Sequence, residues 1–275
     1  MWPAVNQALN VMVDVWLWPV QGLGPNWQVL ALALPATVIA LLVFRLVSNQ
    51  DGIRTQKDRI KAYLLELLLY KDDLRVTLSA QRHIFGHSFR YMGYALVPMV
   101  VMILPFVLIM VQVESRFAFQ GLEPGDSAIL SVVVDEQQQR VKKTEYRLEL
   151  PAGLIQETPA VRVPATGEVM WRIRAELPGD YMATIRAGDT AIEKHIMVGK
   201  QLTRVAPSVY RADDFRTLGF PAEPALAADQ PLAGISVDYP RARGEFIGLS
   251  SASWLLFLFS IIFGFALRGV LGVTF

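Results

Sequence analysis

Residues 27–47, WQVLALALPATVIALLVFRLV, and residues 91–113, YMGYALVPMVVMILPFVLIMVQV, decide how the chain is read, because Arg45 is the one charged residue in either run. Each run matches or exceeds the ~20 apolar residues that cross a bilayer core, so both are expected to be transmembrane helices. Between them lie Arg54, Lys57, Arg59, Lys61, Lys71, Arg75, Arg82 and Arg90. Basic residues this close to membrane spans stay on the cytoplasmic side. A third apolar run, 254–273, is interrupted by Arg268 alone. The expected topology is three spans in an inner (cytoplasmic) membrane, with the N-terminus outside and the C-terminus in the cytoplasm.

Composition agrees with membrane residence. The 275 residues are 53% hydrophobic, above the usual share in soluble domains. A net charge of +1 gives no basis for a nucleic-acid partner. Cysteine is absent, which excludes disulfides, thiol catalysis and cysteine-ligated metals. Arg45 is the first basic residue, so the N-terminus lacks the charged region of a cleaved signal peptide. No Ser/His/Asp pattern and no phosphate-binding glycine loop is present, so neither catalysis nor a cofactor is expected.

The chain divides by texture. In residues 1–24, Trp2, Val5, Leu9, Met12 and Trp16 recur at helical spacing, with Asn6, Gln7, Asn10 and Asp14 on the other side. An amphipathic helix lying flat on the outer leaflet is expected, with tryptophans at headgroup level and a turn at 22–25. Residues 25–49 hold the first span. In residues 50–90, Ile53, Ile60, Leu64, Leu67 and Leu68 form one stripe, and Leu74, Leu78, Gln81, Ile84 and Phe85 another. Because both flanking spans meet the same membrane face, the segment must double back near Asp72 and Asp73. The expectation is a cytoplasmic antiparallel coiled-coil hairpin, its leucine stripes packed together. His83 and His87 stand at i, i+4, yet no nearby carboxylate or cysteine completes a metal site. Residues 91–113 form the second span, where Pro98 and Pro105 invite kinks, as Pro35 does in the first.

Residues 114–248 change to short alternating runs, the pattern of an extracytoplasmic β-sandwich and linker. Strands are expected at 128–134, 144–150, 169–176, 181–186 and 192–198, with Val169, Trp171 and Ile173 facing the core. Leu177-Pro178-Gly179-Asp180-Tyr181 resembles the turn before a tyrosine-corner strand of immunoglobulin-like domains, and Gly188-Asp189 suits a tight hairpin. Residues 203–244 read mostly as loop, with an edge strand at 235–239. In the third span, within residues 249–275, Ser260 and Gly264 offer a small-residue face for helix packing.

An outer interfacial helix, a span with an arginine toward its cytoplasmic end, a cytoplasmic helical hairpin and further spans ending N-out/C-in resemble the YidC/Oxa membrane-insertase superfamily. The three-span count is closest to the branch containing the insertase subunit of the endoplasmic-reticulum membrane complex and its prokaryotic relatives. Here the β-domain lies between the second and third spans, whereas bacterial YidC proteins carry theirs before the hairpin core. The resemblance implies an insertase or insertion chaperone whose hydrophilic groove eases polar client segments across the bilayer. It implies lipid and client membrane proteins as partners, with the ribosome or other membrane subunits as candidate contacts of the hairpin. By position Arg45 matches the groove arginine, and a snorkelling anchor is its competing role. Ser48, Asn49 and Gln50 would hydrate the groove mouth, and Thr37 is the polar residue deeper in the span. The alternative is a scaffold or sensor subunit whose β-sandwich binds an extracytoplasmic partner.

Overall fold

A computed structural model describes residues 2–70, 72–134, 145–199, 204–242 and 249–272. The chain forms two compact units, one of residues 1–32 and 110–256, the other of residues 33–109 and 257–275. All three boundaries between the units fall inside apolar helices.

In the first unit, helix α1 (Trp2–Leu17) leads through a short 3-10 turn (Trp18–Val20) to the start of α2 (Pro25–Val47). Its polar side is turned toward protein. Asn6 donates to the Thr217 carbonyl and Asn10 to the Pro221 carbonyl, both at 2.7 Å, while Val13 and Leu17 are buried beside them. The apolar side, with Val11, Met12, Val15, Trp16 and Trp18, is exposed.

The remainder of this unit is two antiparallel sheets around one core. Strands β1 (Ser127–Val134), β3 (Leu154–Gln156), β4 (Val161–Val163), β5 (Glu168–Ala175), β8 (Ser208–Tyr210) and β9 (Leu232–Val237) make the larger sheet, with path order β3-β5-β1-β9-β8 and β4 also on β5. Strands β2 (Tyr146–Glu149), β6 (Gly179–Ala187) and β7 (Thr190–Val198) make the smaller. Alternation explains the core: Leu130 and Val132 from β1, Trp171 and Ile173 from β5, Ile185 from β6 and Ile196 from β7 are all buried in one cluster. Arg172 and Arg174, on the opposite face of β5, pair with Glu157. The two-residue turn at Gly188-Asp189 closes β6 on β7, pairing Ala187 with Thr190, and Gly188 takes φ 61°, where glycine carries no steric cost. The Tyr181 hydroxyl donates to the Leu177 carbonyl at 2.9 Å. Its ring lies so close over Gly153 (φ 113°) that any side chain there would collide with it.

Residues 203–244 depart from the expected loop. They contain β8, a 3-10 turn (Phe215–Gly219) and β9, and β9 is interior, hydrogen-bonded to both β1 and β8. Val205, Val209, Leu226, Leu232 and Ile235 join the core. Alternation is weak here because both faces of β9 are largely covered, giving the burial of Leu232, Gly234, Ile235 and Val237.

The second unit is helical. Helix α3 (Gln50–Leu69) runs back on α4 (Leu74–Phe117), a single helix of 44 residues that rises about 66 Å. The expected division at residue 91 is absent, and the helix continues through Pro98 and Pro105. Asn49 caps α3 by accepting from Gly52 N at 2.9 Å, and Asp73 caps α4 by accepting from Arg75 N at 2.9 Å. Antiparallel pairing is shown by Lys57 over the Tyr91 ring, Gln56 against His87 and Tyr63 against His83. The seam is not the expected leucine zipper. Ile53, Gln56, Ala80 and His87 are buried in it, whereas Leu64, Leu68, Leu74 and Leu78 are half or more exposed. Tyr63 takes the facing position by stacking on His83 and His87, with ring centroids 4.9 and 5.5 Å away, so the leucines fall on the neighbouring side.

Two helices, α2 and α4, are long and apolar enough to span a membrane. The third apolar helix, α5 (Ser251–Leu267), has 17 residues, about 26 Å of rise. It stops short of residue 273 because Arg268, Gly269 and Gly272, the last at φ 65°, favour a turn.

Candidate functional site

The residues expected to hydrate a groove are distributed over different sides of α2. Thr37 is buried, and its hydroxyl donates to the Ala33 carbonyl one turn back at 2.7 Å. Ser48 is buried in line with it, eleven residues or three turns on. Arg45 is exposed and carries no hydrogen bond or ion pair among the described residues. Asn49 is exposed with its side-chain oxygen committed to the α3 cap, and Gln50 is half-buried where α3 opens. At the packing face, Gly264 faces Thr37: a Cβ on Gly264 would stand 4.0 Å from Thr37 Cγ2, ordinary van der Waals contact. Ser260, one turn earlier, is half-buried on that side of α5, while Ile261, Ile262 and Phe265 are exposed. The structure therefore joins Thr37 with Gly264 and leaves Arg45 apart.

Three polar clusters went unrecognised in the sequence. The first is in the hairpin seam. His87 Nδ1 donates to Gln56 Oε1 at 2.7 Å, and burial, then the charges of Arg59, Arg90 and His83, hold its pKa below the ordinary value. The paired histidines were visible in the sequence, but their partners lie on another helix.

The second cluster lies at the Phe117 end of α4. Asp14 binds Arg116 at 2.8 Å and Arg204 through a second short contact. Partial burial opposes the Asp14 charge, but hydrogen bonds from Arg204 and Arg116 outweigh it and hold the carboxyl below the usual range. One turn before Arg116, Gln112 is buried with neither amide atom hydrogen-bonded among the described residues. On another side of the helix, Glu114 Oε1 accepts from Ser250 N at 3.1 Å, Ser250 Oγ at 2.9 Å and Ser253 Oγ. A carboxylate is thus set at the N-terminus of α5, where free N–H groups and the helix dipole favour negative charge.

The third cluster is inside the sandwich. Lys194 points into the core and is fully buried, its ammonium donating to the Ala206 carbonyl and Glu223 Oε1 at 2.7 Å and to the His195 carbonyl at 3.2 Å. Burial pushes its pKa down, and the Glu223 carboxylate opposes that. All three protons have acceptors, so the lysine ties residues 206 and 223 to β7 and has no free donor for chemistry. Alternation along β7 placed residue 194 inward, which was the available signal.

The sequence matches no protein-family model and no curated protein.

Proposed function

We propose that this protein is a YidC/Oxa-like insertase or insertion chaperone of the cytoplasmic membrane. Helix α2, the apolar part of α4 and α5 are its three spans, with the N-terminus and an immunoglobulin-like sandwich outside and the α3–α4 hairpin inside. The observation that carries this reading is α4, in which a basic hairpin arm and an apolar, largely exposed stretch are one helix. Val97, Val100, Ile103 and Leu104 are each more than half exposed, a surface that water disfavours and lipid does not. The charge-free span and the basic arm support placing that arm on the cytoplasmic side. Supporting the insertase in particular, Arg45 stands exposed at the hairpin end of α2 with no partner among the described residues to neutralise it. A charged group at a helix centre costs about 2.5–3.5 kcal/mol on insertion scales, so an unpaired guanidinium beside the entry path would favour acidic or polar client segments.

Client insertion by purified protein in proteoliposomes, read by protease protection, tests this. Arg45→Ala is expected to lower insertion of clients with acidic tails, Arg45→Glu to lower it further and Arg45→Lys to preserve part of it. Equal insertion by all four proteins removes Arg45 from the mechanism. No insertion above empty liposomes favours the second reading, a scaffold or sensor. That reading draws support from the bonds of α1 to residues 204, 217 and 221, which would tie an extracytoplasmic domain to a membrane-surface helix.

A further inference from the structure

Between Asp73 and Glu114 the chain has no acidic residue, yet Arg75, Arg82, His83, His87 and Arg90 all fall there. A groove of about 710 Å³ on α4 is lined by Leu78 and by Ser79, Arg82, His83, Gly86, His87 and Arg90. Its floor is Gly86. Arg82 and Arg90 stand one turn to either side, about 6 Å along the axis. Neither arginine has a carboxylate partner among the described residues. The glycine weakens a helix interior without serving packing, since a Cβ built on it meets no atom within 4 Å. The same holds for Gly93, two turns further.

At 100° per residue, positions 79, 82, 86, 90, 93, 97, 100 and 104 all lie within about 40° of Gly86 on the helix wheel. One side of α4 thus runs from a basic cradle, over a second glycine, to Val97, Val100 and Leu104, exposed by 56%, 64% and 68%. Cationic at one end and apolar along the next three turns, it complements an amphiphile in both chemistry and order.

We propose that this side of α4 binds an anionic phospholipid. The headgroup phosphate sits over Gly86 between Arg82 and Arg90, and an acyl chain lies along Gly93, Val97, Val100 and Leu104. Arginine suits the phosphate because its planar donors engage two oxygens together. The apolar continuation distinguishes a lipid from free phosphate, which would use the cradle alone. The site rests on the membrane placement proposed above, but not on client insertion.

The test uses the full chain in detergent and follows the anisotropy of acyl-labelled phosphatidylglycerol, with acyl-labelled phosphatidylcholine and excess inorganic phosphate as further arms. Phosphatidylglycerol is expected to bind more tightly than phosphatidylcholine and to resist displacement by phosphate. The double variant Arg82→Gln/Arg90→Gln is expected to bind it roughly 30-fold more weakly. Gly86→Leu fills the cradle at constant charge and is expected to weaken binding, whereas Arg54→Gln on α3 leaves it intact. Wild-type affinity in both groove variants, or equal loss in Arg54→Gln and the double variant, overturns the site. Displacement by inorganic phosphate makes it a soluble-anion site and overturns the lipid. Alkaline carbonate extraction of native membranes separates the premises: release of the protein removes the membrane placement and the site together, while firm integration without phosphatidylglycerol preference removes the site alone.

Discussion

Lys194 and Gln112 are both buried polar side chains, and their surroundings set opposite expectations. Lys194 has an acceptor for each proton, one of them the mostly buried Glu223 carboxylate. Lys194→Ala strands that carboxylate and is expected to destabilise the chain by about 3–5 kcal/mol, whereas Lys194→Met/Glu223→Leu removes both charges and recovers most of the loss. Denaturant unfolding of the detergent-solubilised protein measures both, and similar losses in the single and double variants would reject this account. Gln112 has no partner for either amide atom among the described residues. An unmatched buried polar group costs about 1–3 kcal/mol, so Gln112→Leu, of similar volume, is expected to be neutral or stabilising. A clear drop in unfolding midpoint would show that the amide is matched. Alternation along β7 suffices to turn Lys194 inward, but two of its acceptors are 12 and 29 residues away along the chain, and no local pattern records them.

At the scale of elements, periodicity located the helices better than their contacts. Leu64, Leu68, Leu74 and Leu78 lie on helical stripes as expected but stay exposed, because a stripe gives a shared side and not what covers it. Polar Gln56 and His87 meet instead. The depressed His87 pKa gives the hairpin a pH dependence. Because the folded hairpin disfavours the charged imidazole, His87's contribution is present above the ordinary value of 6.5 and is lost as pH falls below it through the folded value. Spin labels at Lys61 and Arg82, on the two arms, are expected to report a short distance at pH 7.5 that broadens as pH falls below 6.5. His87→Gln is expected to remove most of that change, and identical profiles for wild type and variant would rule out His87 as its source. Strand β9 was misplaced for a related reason. A strand covered on both faces reads as a plain apolar run, so its central position between β1 and β8 left little trace.

For the whole molecule, the absence of cysteine makes topology directly measurable. Single cysteines replacing Asp72, at the hairpin tip, and Asp189, in the exposed turn of the sandwich, are to be labelled in intact cells with an impermeant maleimide. Labelling is expected at 189 and not at 72, and the reverse pattern would invert the orientation. The division into apolar helix, hairpin, apolar helix and paired sheets was legible because apolar length and alternation are local properties. The docking of α1 was not, since most of the residues that bind its polar side are encoded 190 residues or more away. That separation imposes an order on biosynthesis. Asn6 and Asn10 each bond a carbonyl 211 residues later, and synthesis at about 5–20 residues per second puts those carbonyls roughly 10–40 s behind the helix. For about the first half of that interval Asp14 has neither Arg116 nor Arg204 available, since these lie 102 and 190 residues further on, and α1 must wait with its polar side uncovered. The first helix made is therefore among the last pieces to find its place, and a ribosome stalled before residue 204 would leave it undocked.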